Sequence, residues 1–140
     1  MVSTWFAPMK IKNWRITKKN EIFGVSIGRS YLLDQVSIND NIAFYIYPPL
    51  HGIIALGKVI SKPFVSDHDY YGENKYKYII RLQFDTLNIL TKDKIMPLHK
   101  LIGYYDAEND FIIEPYLRNV IFIELIEDAV TSLNSFFKQQ

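Results

Sequence analysis

Three stretches constrain the fold of this chain more than anything else in it: NWRITKKNEIFGV (residues 13–25), NDNIAFYIY (39–47) and GIIALGKVISKPFVSD (52–67). They space aromatic, glycine and β-branched residues as a small β-barrel does. Within Asn41 to Tyr47, the residues Ile42, Phe44 and Ile46 alternate with Ala43, Tyr45 and Tyr47. A period of two is that of a strand, here with one core face and one aromatic face. Pro48, Pro49 and Gly52 then turn the chain, and Ile53 to Ser61 returns as a second strand. Gly57, inside that strand, marks a bulge or a close backbone approach.

The remaining segments fit around this hairpin. TWFAPM reads as a short strand stopped by Pro8, and Lys10 to Asn20 as one or two helical turns, with Ile11 and Trp14 inward and the basic residues outward. Phe23 to Ser26 is a short strand or extended turn, and RSYLLDQV a brief helix ending near Asn39 and Asp40. Val65 to Asn74 carries Asp67, His68, Asp69, Tyr70, Tyr71 and Gly72 with neither period, which predicts a surface loop. Tyr76 to Asp85 alternates again, with Tyr78, Ile80, Leu82 and Phe84 inward and Lys77, Arg81, Gln83 and Asp85 outward. Val120 to Leu125 is apolar almost throughout, as in a strand buried on both faces. Glu127 and Asp128 open a C-terminal helix at its positive end, and Ala129, Leu133, Phe136 and Phe137 form its packed side. Short strands, irregular loops and peripheral helices argue for an α+β fold built on a small mixed β-barrel, not a βαβ sheet. A chain of 140 residues fits one domain spanning 1–140.

Composition narrows the chemistry. There are no cysteines, which excludes disulfides, thiolate metal sites and a cysteine nucleophile, and only 3 histidines. No apolar stretch approaches the roughly 18–20 residues of a membrane helix, and MVSTWFAPMK lacks the pattern of a signal peptide. The expectation is a soluble cytoplasmic protein without cofactor or membrane partner. The net charge of +1 conceals an asymmetry. Across residues 1–62, Lys10, Lys12, Arg15, Lys18, Lys19, Arg29, Lys58 and Lys62 face only Glu21, Asp34 and Asp40, a balance of +5, so the remainder carries −4. A surface attracting polyanions therefore belongs to the N-terminal part.

In order and spacing, Trp5, Asn13-Trp14, Phe23-Gly24-Val25, Asn39-Asp40, Phe44-Tyr45, Gly52-Ile53 to Gly57 and Pro63-Phe64 with Asp67 resemble the EVE domain family of the PUA-like superfamily, which is related to YTH domains. The match covers roughly residues 3–85, with a weaker echo in the last strand and helix. Three positions depart from the family pattern: Phe23 stands for a tryptophan, Asn39 for a turn glycine and Ile79 for an arginine.

The resemblance implies a PUA-like barrel with a concave, aromatic-lined pocket for a flipped or single-stranded modified base, for example a methylated one, in DNA in preference to RNA. The expected pocket residues are Phe23, Gly24, Val25, Ser26, Tyr45, Tyr47, Phe64, Tyr70 and Tyr71, with Trp5 and Trp14 secondary. Aromatic stacking on a base contributes roughly 1–3 kcal/mol and suits any π-face. Lys10, Lys12, Arg15, Lys18, Lys19 and Arg29 are the candidates for phosphate contacts, which position a strand without reading its sequence.

Two alternatives are an RNA-binding PUA-like protein and an interaction domain that presents Tyr104, Tyr105 and FIIEPY at a strand edge. An enzyme is not expected. Asp67-His68-Asp69 offers alternating metal-ligand types, but neighbours in an extended loop point to opposite sides, and His51 or His99 would have to complete the set. No Walker loop, nucleophile elbow or HExxH is present.

Overall fold

The computed structural model describes residues 2–25, 27–66, 68, 80–101, 105–106, 111–112 and 122–140. An eight-stranded mixed sheet follows the path β10 (Ile123–Glu124), β1 (Thr4–Met9), β3 (Asn41–Ile46), β4 (Gly52–Val59), β6 (Ile80–Ile89) and β2 (Ile22–Val25). Two short strands sit off that path, β5 (Phe64–Val65) on β6 and β7 (Met96–Pro97) on β4. Only the β1–β3 pairing among them is parallel. The sheet curls into a half-barrel flanked by two α-helices, α1 (Ile11–Asn20) and α2 (Glu127–Lys138). A separate pair, β8 (Tyr105–Asp106) and β9 (Phe111–Ile112), forms a small antiparallel ribbon. Among the described residues no helix is long and apolar enough to cross a membrane.

The alternation in β3 divides the interior in two. Ile42, Phe44 and Ile46 join Trp5, Ala7, Trp14, Phe23, Leu82 and Phe84 in a first core enclosed by the curl of the sheet. Ala43 and Tyr45 face the other way, into a second core with Phe6, Ile53 and Met96. Helix α2 covers that second face with Ala129, Leu133 and Phe137, a stripe at intervals of four. Phe136 is only partly buried at its margin. Acidic Glu127 and Asp128 in the first turn and Lys138 in the last match the helix dipole.

Helix α1 runs ten residues, about three turns, longer than the sequence suggested. Trp14 anchors it, ring to ring with Phe44 at 5.0 Å. Glu21 ends the helix in the left-handed region (φ 50°). It holds that conformation through two bonds to β6: its carbonyl accepts from Phe84 N (3.1 Å) and its Oε2 from Thr86 N (2.7 Å). The helix end is thus fixed to the sheet, which sets where β2 begins.

Gly57 fulfils both expectations for it. The β4–β6 register shifts between Leu56 and Gly57, and a Cβ there would stand 2.9 Å from Phe84 and 3.1 Å from Phe44. The crossing is too tight for any side chain.

Three expectations are corrected. Pro8 does not stop β1; it pairs with Tyr45 inside the strand. Asn41 N bonds Ser3 O and Tyr47 N bonds Met9 O, so odd-numbered residues of β1 serve β3. Pro8 turns its nitrogen to the opposite edge, where the described pairing with β10 stops at Phe6, and no ladder bond is lost. Arg81 lies on the outward side of β6 yet is 1% exposed, with its Nη2 donating to His68 O (2.9 Å), because the backbone at residue 68 lies over it. The strand predicted at Val120–Leu125 reduces to β10, paired with β1 and carrying an exposed Glu124, so it is not buried on both faces. Val120, Ile121 and Tyr76 to Ile79 lie outside the described residues.

Candidate nucleic-acid interface

The site begins with a buried carboxylate. Asn39 adopts φ 80°, the left-handed conformation that a glycine supplies most easily, and this turns Asp40 inward. Its Oδ1 accepts from Ser3 N (3.1 Å), and its Oδ2 from Ser37 N (2.8 Å) and from the indole Nε1 of Trp5 (3.0 Å). The backbone adds Val59 N to Asp40 O (2.8 Å) and Asn39 N to Val59 O (2.8 Å). One residue thereby joins the start of β1, the loop before β3 and the end of β4. It also fixes the plane of the Trp5 ring.

That plane faces a stack. Phe122, one residue ahead of β10, lies 5.1 Å from Trp5 with the rings 12° from parallel. Phe122 also meets Phe23 of β2, at 5.3 Å and 30°. Since β10 and β2 are the two ends of the sheet path, this stack joins the ends of the half-barrel where no described strand pairing does. Phe122 is 2% exposed and Phe23 3%. The sequence reading did not single out Phe122; alternation from Ile123, which pairs with Phe6, would have placed it on the Trp5 side.

The residues expected to form one cage are not brought together. Phe23, Val25, Trp5 and Trp14 belong to the first core, whereas Tyr45 belongs to the second and Tyr47 packs against it. Phe23 and Tyr45 thus lie on opposite faces of the sheet and do not flank a common base. Trp14 is filled in against Phe44 and serves as the anchor of α1. Gly24 and Phe64 both pair with Arg81 from either side of β6, so these three share the outer face, away from Phe23. Phe64 is half-buried there. Ser26, Tyr70 and Tyr71 lie outside the described residues.

Tyr45 has a different set of neighbours. Its ring packs on Phe6 (5.3 Å) and meets Tyr47 edge-on (5.7 Å), and its hydroxyl is hydrogen-bonded to Nδ1 of His51 (2.6 Å). His51 reaches it from the turn after the cis Pro48-Pro49 bond, at φ 51°. Burial, with Tyr47 beside it, pushes the Tyr45 phenol up to about 12. Burial raises Tyr47 as well, partly offset by the nearby charge of Arg29.

The cations sit where the sequence put them. Lys10, Lys12, Arg15, Lys18, Lys19 and Arg29 are all exposed, and Lys18 and Lys19 occupy the last turn of α1, shortly before Phe23 enters β2. Among the described residues no three His, Asp or Glu side chains are grouped to hold a metal; Asp67 and Asp69 lie outside them, and His68 is exposed. Of the segment proposed for edge pairing, Tyr105 pairs with Ile112 within the same chain, and Tyr104 lies outside the described residues.

No protein-family model matches the sequence, and no curated protein matches it. Solved structures do. The YTH domain of Toxoplasma CPSF4, in complex with a 7-mer m6A-modified RNA, superposes with a TM-score of 0.73 at 12% identity, over 100% of this chain and 93% of that one. The YTH domain of Zygosaccharomyces rouxii MRB1, in complex with N6-methyladenosine RNA, gives 0.69 at 11% identity over 98% and 87%. A hypothetical protein from Leishmania major gives 0.67 at 11% identity over 100% and 97%. The fold is therefore YTH-like.

Proposed function

We propose that this chain is a nucleic-acid-binding module that reads a modified base and performs no chemistry of its own. The observation that carries this reading is the end-to-end likeness in fold to YTH domains complexed with methylated RNA. Two features of this chain support it. A row of exposed cations on α1 ends beside β2, which suits contacts to phosphates. Trp5 of β1 and Phe23 of β2 each stack on Phe122 at the barrel seam, an aromatic cluster beside the strand that those cations lead into. N6-methyladenine is the modification to test first, and RNA joins DNA as a candidate backbone, because the ligands of those neighbours are RNA. Assignment to the EVE family within the YTH-like fold is part of the same proposal.

The deciding experiment is fluorescence anisotropy with four matched oligonucleotides, RNA and DNA, each with and without one N6-methyladenine. The expected result is tighter binding of the methylated strand in at least one pair, with the preference lost in Phe23→Ala while the folded signal by circular dichroism persists. Equal binding within both pairs, extended over a panel of other base modifications, overturns the reading.

A further inference from the structure

A cavity of about 350 Å³ opens between α2 and the chain that follows β7. On the α2 side its wall is the flank beside the packed stripe Ala129, Leu133 and Phe137, where Ser132 and Ser135 stand in place of side chains large enough to fill the space. Phe136 and Gln139 extend that wall. The remaining wall comes from Met96, fully buried in the second core, and from Lys100 at the end of the helical turn Leu98–Lys100. The volume falls within the range of about 300–1,000 Å³ typical of small-molecule sites. At about 30 Å³ per water it takes roughly a dozen waters, or a ligand of about ten non-hydrogen atoms.

The lining selects a ligand by its mixture of groups. Met96 and Phe136 are its apolar part, and a thioether together with an aromatic ring suits a flat apolar body. Thr131 Oγ1 donates to Glu127 O (3.1 Å) and Ser132 Oγ to Ala129 O (2.8 Å), so those hydroxyl protons are committed to the helix. The Ser135 hydroxyl, the Gln139 amide and the Lys100 ammonium have no partner among the described residues. The cavity therefore presents two neutral donors and one cation, and no carboxylate lines it. We propose that it binds a small monocarboxylate with a flat apolar body, the charge on Lys100 and the body against Phe136 and Met96. A single ammonium matches one negative charge and would leave a phosphate dianion half compensated. The site is independent of the modified-base reading, since Phe23 and Trp14 of α1 belong to the first core, whereas α2 covers the second.

The test uses the full chain and two probes, phenylacetate and phenylacetamide, the second being an uncharged molecule of the same size. Each is titrated while backbone amide shifts are followed by nitrogen–proton correlation spectra. Phenylacetate is expected to give saturable shifts confined to Met96, Lys100 and residues 131–139, with a Kd on the order of a millimolar. Phenylacetamide is expected to bind about tenfold more weakly. Lys100→Ala should weaken phenylacetate by about the same factor, and Ser135→Phe, which fills the cavity from an exposed position, should abolish its binding. Lys92→Ala removes an exposed cation outside the cavity and should leave the affinity unchanged. All three substituted positions are exposed, so the folded spectrum is expected to persist in each variant. Equal affinity for acid and amide, a Lys100→Ala variant that binds as wild type, or shifts that never saturate overturns the proposal. A methylated oligonucleotide bound equally by wild type and Ser135→Phe supports a cavity separate from the base reader. Loss of that oligonucleotide in Ser135→Phe would place the strand itself in the cavity and overturn the small-molecule assignment.

Discussion

Replacing Asp40 with alanine should be among the most damaging single substitutions outside the apolar core. The carboxylate accepts from Ser3 N, Ser37 N and Trp5 Nε1, the last bond being fully buried. Water can re-solvate the two partly buried backbone groups, so each of those losses costs about 1 kcal/mol. The indole N–H has no such recourse, and stranding it costs about 1–3 kcal/mol. The sum for Asp40→Ala is about 3–5 kcal/mol, which lowers Tm by on the order of 10 °C or more for a chain of this size. Asp40→Asn keeps one acceptor oxygen. Placed at Oδ2 it serves Ser37 and Trp5 and gives up only Ser3, at a cost of about 1–2 kcal/mol. Urea denaturation followed by tryptophan fluorescence gives both values, provided the m-values agree with wild type. A double-mutant cycle isolates the indole bond: Trp5→Phe should cost about 1–2 kcal/mol less in the Asp40→Ala background than in wild type. Asp40→Ala within about 1 kcal/mol of wild type, or an additive cycle, refutes the reasoning. The same bond fixes the Trp5 ring against Phe122, so the substitution also loosens the stack at the seam.

Three further outcomes are expected. Gly57→Ala pushes a methyl to 2.9 Å from Phe84 and 3.1 Å from Phe44, an overpacking that costs about 1–3 kcal/mol in the same urea assay; a neutral result would mean that the β4–β6 bulge yields freely. Because the Tyr45 phenol stays protonated up to about 12 in the folded chain against about 10 unfolded, its contribution to stability is complete below pH 10 and is lost as pH rises towards 12. Stability measured from pH 9 to 11.5 should fall less steeply in Tyr45→Phe, and tyrosine absorbance at high pH should show the late titration disappear. Lys18→Ala should weaken methylated and plain oligonucleotides equally and make the logarithmic salt dependence shallower by about 1; a selective loss for the methylated strand would move Lys18 from the phosphates to the base.

The parts of the fold that rest on local period were legible in the sequence. The β3–β4 hairpin, the role of Gly57, the C-terminal helix and the outward basic face of α1 all follow from spacing that a single segment contains. What was not legible depends on a second segment. Pro8 continues β1 because of which edge β10 occupies, and Arg81 is buried because the chain near His68 returns over it. Asp40 reads as a turn residue; that its carboxylate gathers groups from residues 3, 5 and 37 is a fact of the folded chain.

The aromatic residues show why a site is harder to read than a fold. Period two assigns Phe44 and Tyr45 to opposite faces but does not say that both faces are interior, and here each is the wall of a separate core. Phe23 was expected to line a pocket with Tyr45, and the sheet comes between them. The ring that Phe23 does meet, Phe122, lies about a hundred residues away along the chain, beyond the reach of any local pattern. Trp5, Phe23 and Phe122 are all buried, so the stack they form closes the first core at the seam between the two ends of the sheet. Exposure, which no local pattern supplies, is what separates a core ring from a pocket ring.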